Sequence, residues 1–132
     1  MSDDIAIKVR RSQLGRVRGA GSAKSGVHHW YAERLTAVAL VPLSLWFVFS
    51  MLRLAGARQE DVVAWAGHPW NTVLLLALIV MTFHHMQLGL QVVIEDYVRD
   101  KWAMTGAVLA TKAVCGLLGL AAGVSVIKLA LL

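Results

Sequence analysis

The sequence predicts an all-α integral membrane protein with three transmembrane helices. Hydrophobic residues make up 58% of the 132-residue chain and charged residues 16%, and the mean hydropathy is +0.62. Soluble domains carry about 25% charged residues, so this composition excludes an ordinary water-soluble globule. The apolar residues also fall into three long runs, each long enough to cross a bilayer. These runs leave little chain for a separate soluble catalytic domain.

Residues 1–25 are expected to form a basic cytoplasmic arm in front of a membrane anchor domain at 26–132. Six of the thirteen Lys and Arg residues fall before residue 25, and no sustained apolar periodicity accompanies them. On a soluble chain a net charge of +5 suggests nucleic acid, but basic residues gathered before a hydrophobic run are a topology signal. We therefore expect a cytoplasmic N-terminus and no nucleic-acid partner.

The first span is expected at about 33–53. The eighteen residues between Arg34 and Arg53 carry no charge, and about 20 helical residues cross a hydrocarbon core of about 30 Å. Pro42 lies inside this span, where a membrane helix packed in a bundle can absorb the lost backbone hydrogen bond as a kink.

The second span is expected at about 71–95. Residues 62–94 contain no Asp, Glu, Lys or Arg, but they exceed the length of one span. The segment 67–71, Gly-His-Pro-Trp-Asn, supplies a helix breaker, and Asn71 is the expected cap of the helix that follows.

The third span is expected at about 102–127, interrupted only by Lys112. Gly119 and Gly123 have the GxxxG spacing, which favours close helix packing but also arises by chance in Gly-rich spans. With the N-terminus in the cytoplasm, three spans place the loop 95–101 on the cytoplasmic side as well.

Two adjacent histidines near the middle of the second span are the first candidates for function, because intramembrane histidines are costly to leave without a partner. At about 100° per residue, His85 shares a stripe with Gly89 and Asp96. An imidazole can ligate a haem iron, and a glycine one turn away lets a flat macrocycle approach the backbone. His84 lies on the adjacent stripe, so spacing alone does not choose between them, and either can instead bond to a neighbouring helix.

A second group of candidates gathers at the cytoplasmic membrane face. Arg34 can be a snorkelling anchor or a cation set against an anionic group. Asp96 and Tyr97 can be a solvated helix end, or a carboxylate beside a phenol that donates a hydrogen bond to a carbonyl.

The segment 26–37, GVHHWYAERLTA, followed by His85-Met86-Gln87-Leu88-Gly89 and by Asp96-Tyr97, resembles the hydrophobic membrane anchor (D) subunit of bacterial succinate dehydrogenase, respiratory complex II. The joint patterns GVH(x5)RxTA and H(x3)G(x6)DY carry the resemblance, which covers most of the chain from residue 26. The three spans, the basic arm and the chain length agree with this family.

The resemblance implies a multi-pass protein of the bacterial inner membrane that pairs with the C subunit (cytochrome b556), below the iron–sulfur and flavoprotein subunits of the same complex. It implies a b-type haem shared with the C subunit, with His85 as the axial ligand and His28 and Arg34 on the propionate side. It also implies a ubiquinone site in which Tyr97 donates to the quinone carbonyl, with Asp96 beside it.

In that family the complex passes electrons from the iron–sulfur subunit to quinone, which links the tricarboxylic acid cycle to the respiratory chain. This chain alone would hold no complete active site. Two alternatives stay open: a structural anchor without haem, and a small proton-coupled transporter that uses Lys112, His84 and His85 as a relay. Three spans make no inverted pair of repeats, which counts against the transporter.

Overall fold

In a computed structural model, the described residues 24–131 form four helices and contain no strand. The helices are α1 (Lys24–Arg53), α2 (Gln59–Gly67), α3 (Pro69–Tyr97) and α4 (Lys101–Ala130). Three of them, α1, α3 and α4, are long and apolar enough to cross a membrane. The predicted all-α class with three spans is therefore confirmed. Of the predicted basic arm, residues 1–23 lie outside the described residues.

Helix α1 begins well before the predicted span at 33–53. The charge on Arg34 marks where the hydrocarbon core begins, but backbone hydrogen bonds continue into the polar region, so the helix extends back to Lys24. Pro42 is accommodated within the helix, as expected. The turn after α1 uses Gly56 at a φ of +81°, a left-handed conformation that glycine adopts without steric cost.

The short helix α2 was not predicted from the sequence. Glu60 and Asp61 lie in its first turn, where carboxylates interact favourably with the helix dipole. The backbone N–H of Arg58 also donates to Asp61 Oδ2 at 3.3 Å. The helix ends at Gly67 because the residue before a proline, here His68, disfavours the helical conformation.

Helix α3 begins at Pro69, two residues before the predicted start, and proline fits the first helical position since it has no N–H to leave unpaired. The prediction that Asn71 caps this helix was wrong. The side-chain amide of Asn71 donates instead to the carbonyl oxygen of Trp65 at 2.8 Å. The hydroxyl of Thr72 donates to the carbonyl oxygen of Ala66, also at 2.8 Å. Both side chains satisfy carbonyls at the end of α2.

Helix α3 is the central element, because α1 and α4 both pack against it, while within residues 24–131 they do not pack against each other. The GxxxG spacing on α4 marks a close approach: a Cβ placed on Gly119 would lie 3.3 Å from the ring of Phe83, and one on Gly123 would lie 3.7 Å from Leu76. Tight packing at this motif is therefore confirmed. At the other end of α4, Asp100 caps the helix by accepting from the N–H of Ala103 at 2.8 Å.

Few side chains are buried inside the chain, as expected for helices whose apolar faces meet lipid or other subunits. Among the residues whose burial the structure describes, the buried ones are Thr36, Ala66, Leu75, Leu88 and Cys115. Among the described residues Thr36 is the only polar one in this set, and it lies where α1 meets α3.

Candidate functional site

The two adjacent histidines of α3 face different neighbours. The Nδ1 atom of His85 lies 2.9 Å from the hydroxyl oxygen of Thr36 on α1. His84 instead lines a surface groove of about 440 Å³ between α3 and α4, together with Gln87 and Lys112. Successive helical residues are rotated by about 100°, and because α3 has a helix on either side, this rotation directs the two rings toward different helices.

The second ring nitrogen of His85 reaches the surface of the chain. Among the described residues, only His29 Nε2 is a fully buried side-chain nitrogen or oxygen without a hydrogen-bond partner. His85 is half-buried and its Nε2 also makes no hydrogen bond within these residues, so that atom must retain accessible surface. His85 therefore has one nitrogen held by α1 and the other accessible at the surface of the chain.

The same stripe of α3 is open one turn beyond His85. A Cβ placed on Gly89, one turn from His85, would meet no atom within 4 Å. An accessible imidazole nitrogen one turn from an uncovered stretch of backbone fits what a flat iron macrocycle requires. The described residues contain no cluster of three or more His, Cys, Asp or Glu that could hold a metal ion. Within the described residues, the arrangement therefore offers one imidazole nitrogen that such a group could use.

Asp96 and Tyr97 lie at the end of α3 and are both exposed, Tyr97 by 83%. The Tyr97 hydroxyl makes no hydrogen bond to any described residue, so it is free to donate to a molecule outside the chain. Twelve residues separate Tyr97 from His85, which corresponds to about 18 Å along the helix axis.

The basic candidates on α1 do not converge on His85. The guanidinium of Arg34 lies over the ring of Trp30, 5.5 Å from its centroid. By helical rotation, Arg34 is about 160° around α1 from Thr36, on the side away from α3, whereas His28 is about 80° from Thr36. His28 is exposed and lies nearer the contact between α1 and α3.

Two residues at the α1–α3 contact were not singled out by sequence reasoning. Thr36 belongs to the RxTA pattern, but its pairing with His85 depends on the register between two distant segments. His29 precedes Thr36 by seven residues, a spacing that places both on one helix face. Its buried, unpartnered Nε2 lies on this face of α1.

Lys112 lines the groove beside His84, and it also borders a second groove that contains Glu95. His85 contributes to neither groove. The structure thus does not bring Lys112, His84 and His85 into one cavity, which the relay alternative requires.

Comparison with known proteins gives a consistent family. Residues 8–119 match the model of the succinate dehydrogenase/fumarate reductase transmembrane subunit family. The succinate dehydrogenase hydrophobic membrane anchor subunit of Rickettsia bellii is 34% identical over 102 residues, which cover 77% of this chain and 82% of that protein. The protein of the same name from Paracoccus denitrificans is 32% identical over 79 residues, which cover 60% of this chain and 61% of that protein. No solved structure gives a significant match.

Proposed function

This chain belongs to the family of succinate dehydrogenase/fumarate reductase transmembrane subunits, and on that premise we propose that it binds a b-type haem and ubiquinone jointly with a C subunit. Membership makes it a membrane anchor of an enzyme complex, a multi-pass protein of the bacterial inner membrane that works with other subunits. The flavoprotein and iron–sulfur subunits would carry the electrons from succinate to this membrane part.

The observation that carries the haem proposal is the orientation of His85. Its Nδ1 is held by Thr36, its Nε2 keeps accessible surface, and the position of Gly89 one turn away is open. His85 would supply one axial nitrogen, and the C subunit would supply the other. The haem, when bound, provides a one-electron carrier and a link between the two subunits.

For the haem propionates, His28 is the better placed of the two basic candidates because it lies nearer the face of α1 that carries Thr36. Arg34 lies on the other side of α1, engaged with Trp30. Arg34 would bind a propionate only if the C subunit holds the haem against that side of α1.

The quinone part of the proposal rests on Tyr97. Tyr97 is exposed at the end of α3. The predicted topology puts this end at the cytoplasmic face, where a lipid-soluble quinone could meet an electron donor docked on that side. Donating a hydrogen bond to the quinone carbonyl would stabilise the negative charge that develops on that oxygen during reduction. Two electrons and two protons complete the conversion of the quinone to the hydroquinone, and Asp96 is an acceptor that can orient nearby groups or help deliver protons.

The haem assignment is tested in the complex purified through its flavoprotein. We expect His85→Ala to lose or alter the b-type band in the reduced-minus-oxidised spectrum and His84→Ala, its matched neighbour, to keep it. Loss of the band in the His84 variant alone would reverse the ligand assignment. A parental complex with no b-type band would identify a haem-free anchor.

A further inference from the structure

The Thr36 hydroxyl makes three short polar contacts at the boundary between α1 and α3. Its oxygen lies 2.9 Å from the carbonyl oxygen of Ala32, 3.0 Å from that of Glu33 and 2.9 Å from Nδ1 of His85. Thr36 is only 5% exposed, so water cannot readily replace any of these partners.

Counting hydrogens decides the direction of these bonds. A hydroxyl has one hydrogen, and carbonyl oxygens can only accept. If that hydrogen pointed to His85, the hydroxyl oxygen would face two carbonyl oxygens at about 3 Å with nothing between them. If it points between the two carbonyl oxygens and is shared by them, the hydroxyl oxygen accepts from Nδ1–H of His85 and all three contacts become hydrogen bonds.

The second arrangement fixes the tautomer of His85. With the hydrogen on Nδ1, the accessible Nε2 carries the free lone pair, which is the form that a metal requires. Metal-ligating histidines usually donate their other ring N–H to a nearby acceptor, which orients the ring and raises its basicity.

From this we infer that Thr36 is a positioning residue: it holds the His85 ring and its tautomer so that Nε2 is presented as the axial ligand. The inference rests on the proposed haem function. Thr36 itself does not touch the iron; it acts through His85. A plain helix–helix hydrogen bond between α1 and α3 is the competing explanation.

The test compares Thr36→Val, which keeps the shape but removes the hydroxyl, with Thr36→Ser, which keeps the hydroxyl. Thr105→Val is the matched control. The Thr105 hydroxyl donates at 2.8 Å to the carbonyl oxygen of Lys101, four residues earlier, just as the Thr36 hydroxyl donates to the carbonyl oxygen of Ala32. Unlike Thr36, Thr105 makes no hydrogen bond to a histidine among the described residues. Each variant is studied as the whole complex, and haem per flavin, the midpoint potential and the electron paramagnetic resonance of the ferric haem are measured.

We expect Thr36→Val to weaken haem retention by about 10- to 100-fold, as is typical when such outer partners are removed. The haem that remains should have a raised midpoint potential, because a less basic imidazole stabilises ferric iron less. Thr36→Ser and Thr105→Val should keep the parental values. A purely structural bond would change the amount of complex without changing the potential.

Parental potential and resonance in Thr36→Val would overturn the inference, and so would an equal change in Thr105→Val. If Thr36→Val does not accumulate, Thr36→Ala is measured in its place; failure of both to accumulate while Thr36→Ser does would identify a structural bond and reject a ligand-positioning role. His85→Ala separates the ligand assignment of His85 from the positioning role of Thr36. If His85→Ala keeps the haem, the ligand assignment itself fails. If it loses the haem while Thr36→Val is parental, only the role of Thr36 fails.

Discussion

Replacing Tyr97 with Phe tests the quinone site with a minimal perturbation, because it removes one hydroxyl and nothing else. Tyr97 is 83% exposed and its hydroxyl has no partner among the described residues. No hydrogen bond among the described residues is lost, so the folding of this part of the chain should be unaffected. Any effect must then come from a molecule that the hydroxyl meets outside the chain.

The size of the effect follows from the type of hydrogen bond. A bond to an oxygen that gains negative charge is worth about 1.5–3 kcal/mol. Each 1.4 kcal/mol in the transition state is about tenfold in rate, so quinone reduction should fall by about one to two decades. His85 lies about 18 Å further along the helix axis, so the haem spectrum should not change.

The assay compares succinate oxidation by a ubiquinone analogue with oxidation by a soluble dye that takes electrons before the membrane part. Tyr31→Phe is the matched control, since Tyr31 is the only other tyrosine in the chain and is 60% exposed on α1. We expect Tyr97→Phe to lose the quinone rate and keep the dye rate, and Tyr31→Phe to keep both. A parental quinone rate in Tyr97→Phe, or an equal loss in Tyr31→Phe, would refute the reasoning and leave Tyr97 as an interfacial anchor.

Two further predictions use the glycines. Gly89→Val should leave the chain folded, because a Cβ at this position meets no atom within 4 Å. The variant should exclude haem. A parental b-type band in the purified variant would show that no haem lies against Gly89. Gly119→Val should lower the stability of the complex by roughly 1–3 kcal/mol, because the new Cβ would lie 3.3 Å from the Phe83 ring, which must move. A thermal melt measures the loss. Gly116→Val is the control, since a Cβ at that position meets no atom within 4 Å. Equal melting of the two variants would contradict close packing of α4 on α3.

The three spans were predictable because the length and hydropathy of a run set whether it can cross a bilayer. The ends of the helices were harder to predict from the sequence. Charge at Arg34 limits burial in hydrocarbon but does not stop a helix, and α1 extends to Lys24. The short helix α2 depends on Asp61, which caps its start, and on Asn71, which satisfies a carbonyl at its end. Asn71 lies in α3 but does not cap that helix.

The candidate site was predictable in its residue types but not in its pairing. Helical periodicity separates His84 from His85 onto neighbouring stripes, yet it cannot say which neighbouring helix each stripe meets. That requires the order of the helices, with α3 in the centre, and the register that places Thr36 opposite His85. A contact between residues forty-nine positions apart leaves no local pattern in the sequence.

The separation along α3 has a consequence for how the proposed sites work together. If the N-terminus is cytoplasmic, α3 runs toward the cytoplasm, so Tyr97 lies at the surface where an iron–sulfur donor would dock and His85 lies deeper in the bilayer. A quinone at Tyr97 would then be near the donor without the haem lying between them. Sites this far apart share no side chain, so changes at Tyr97 and at His85 should act independently. Under this proposal the haem ligand would serve mainly to join the subunits and to hold an electron, while the chemistry of the quinone would take place at the end of the helix.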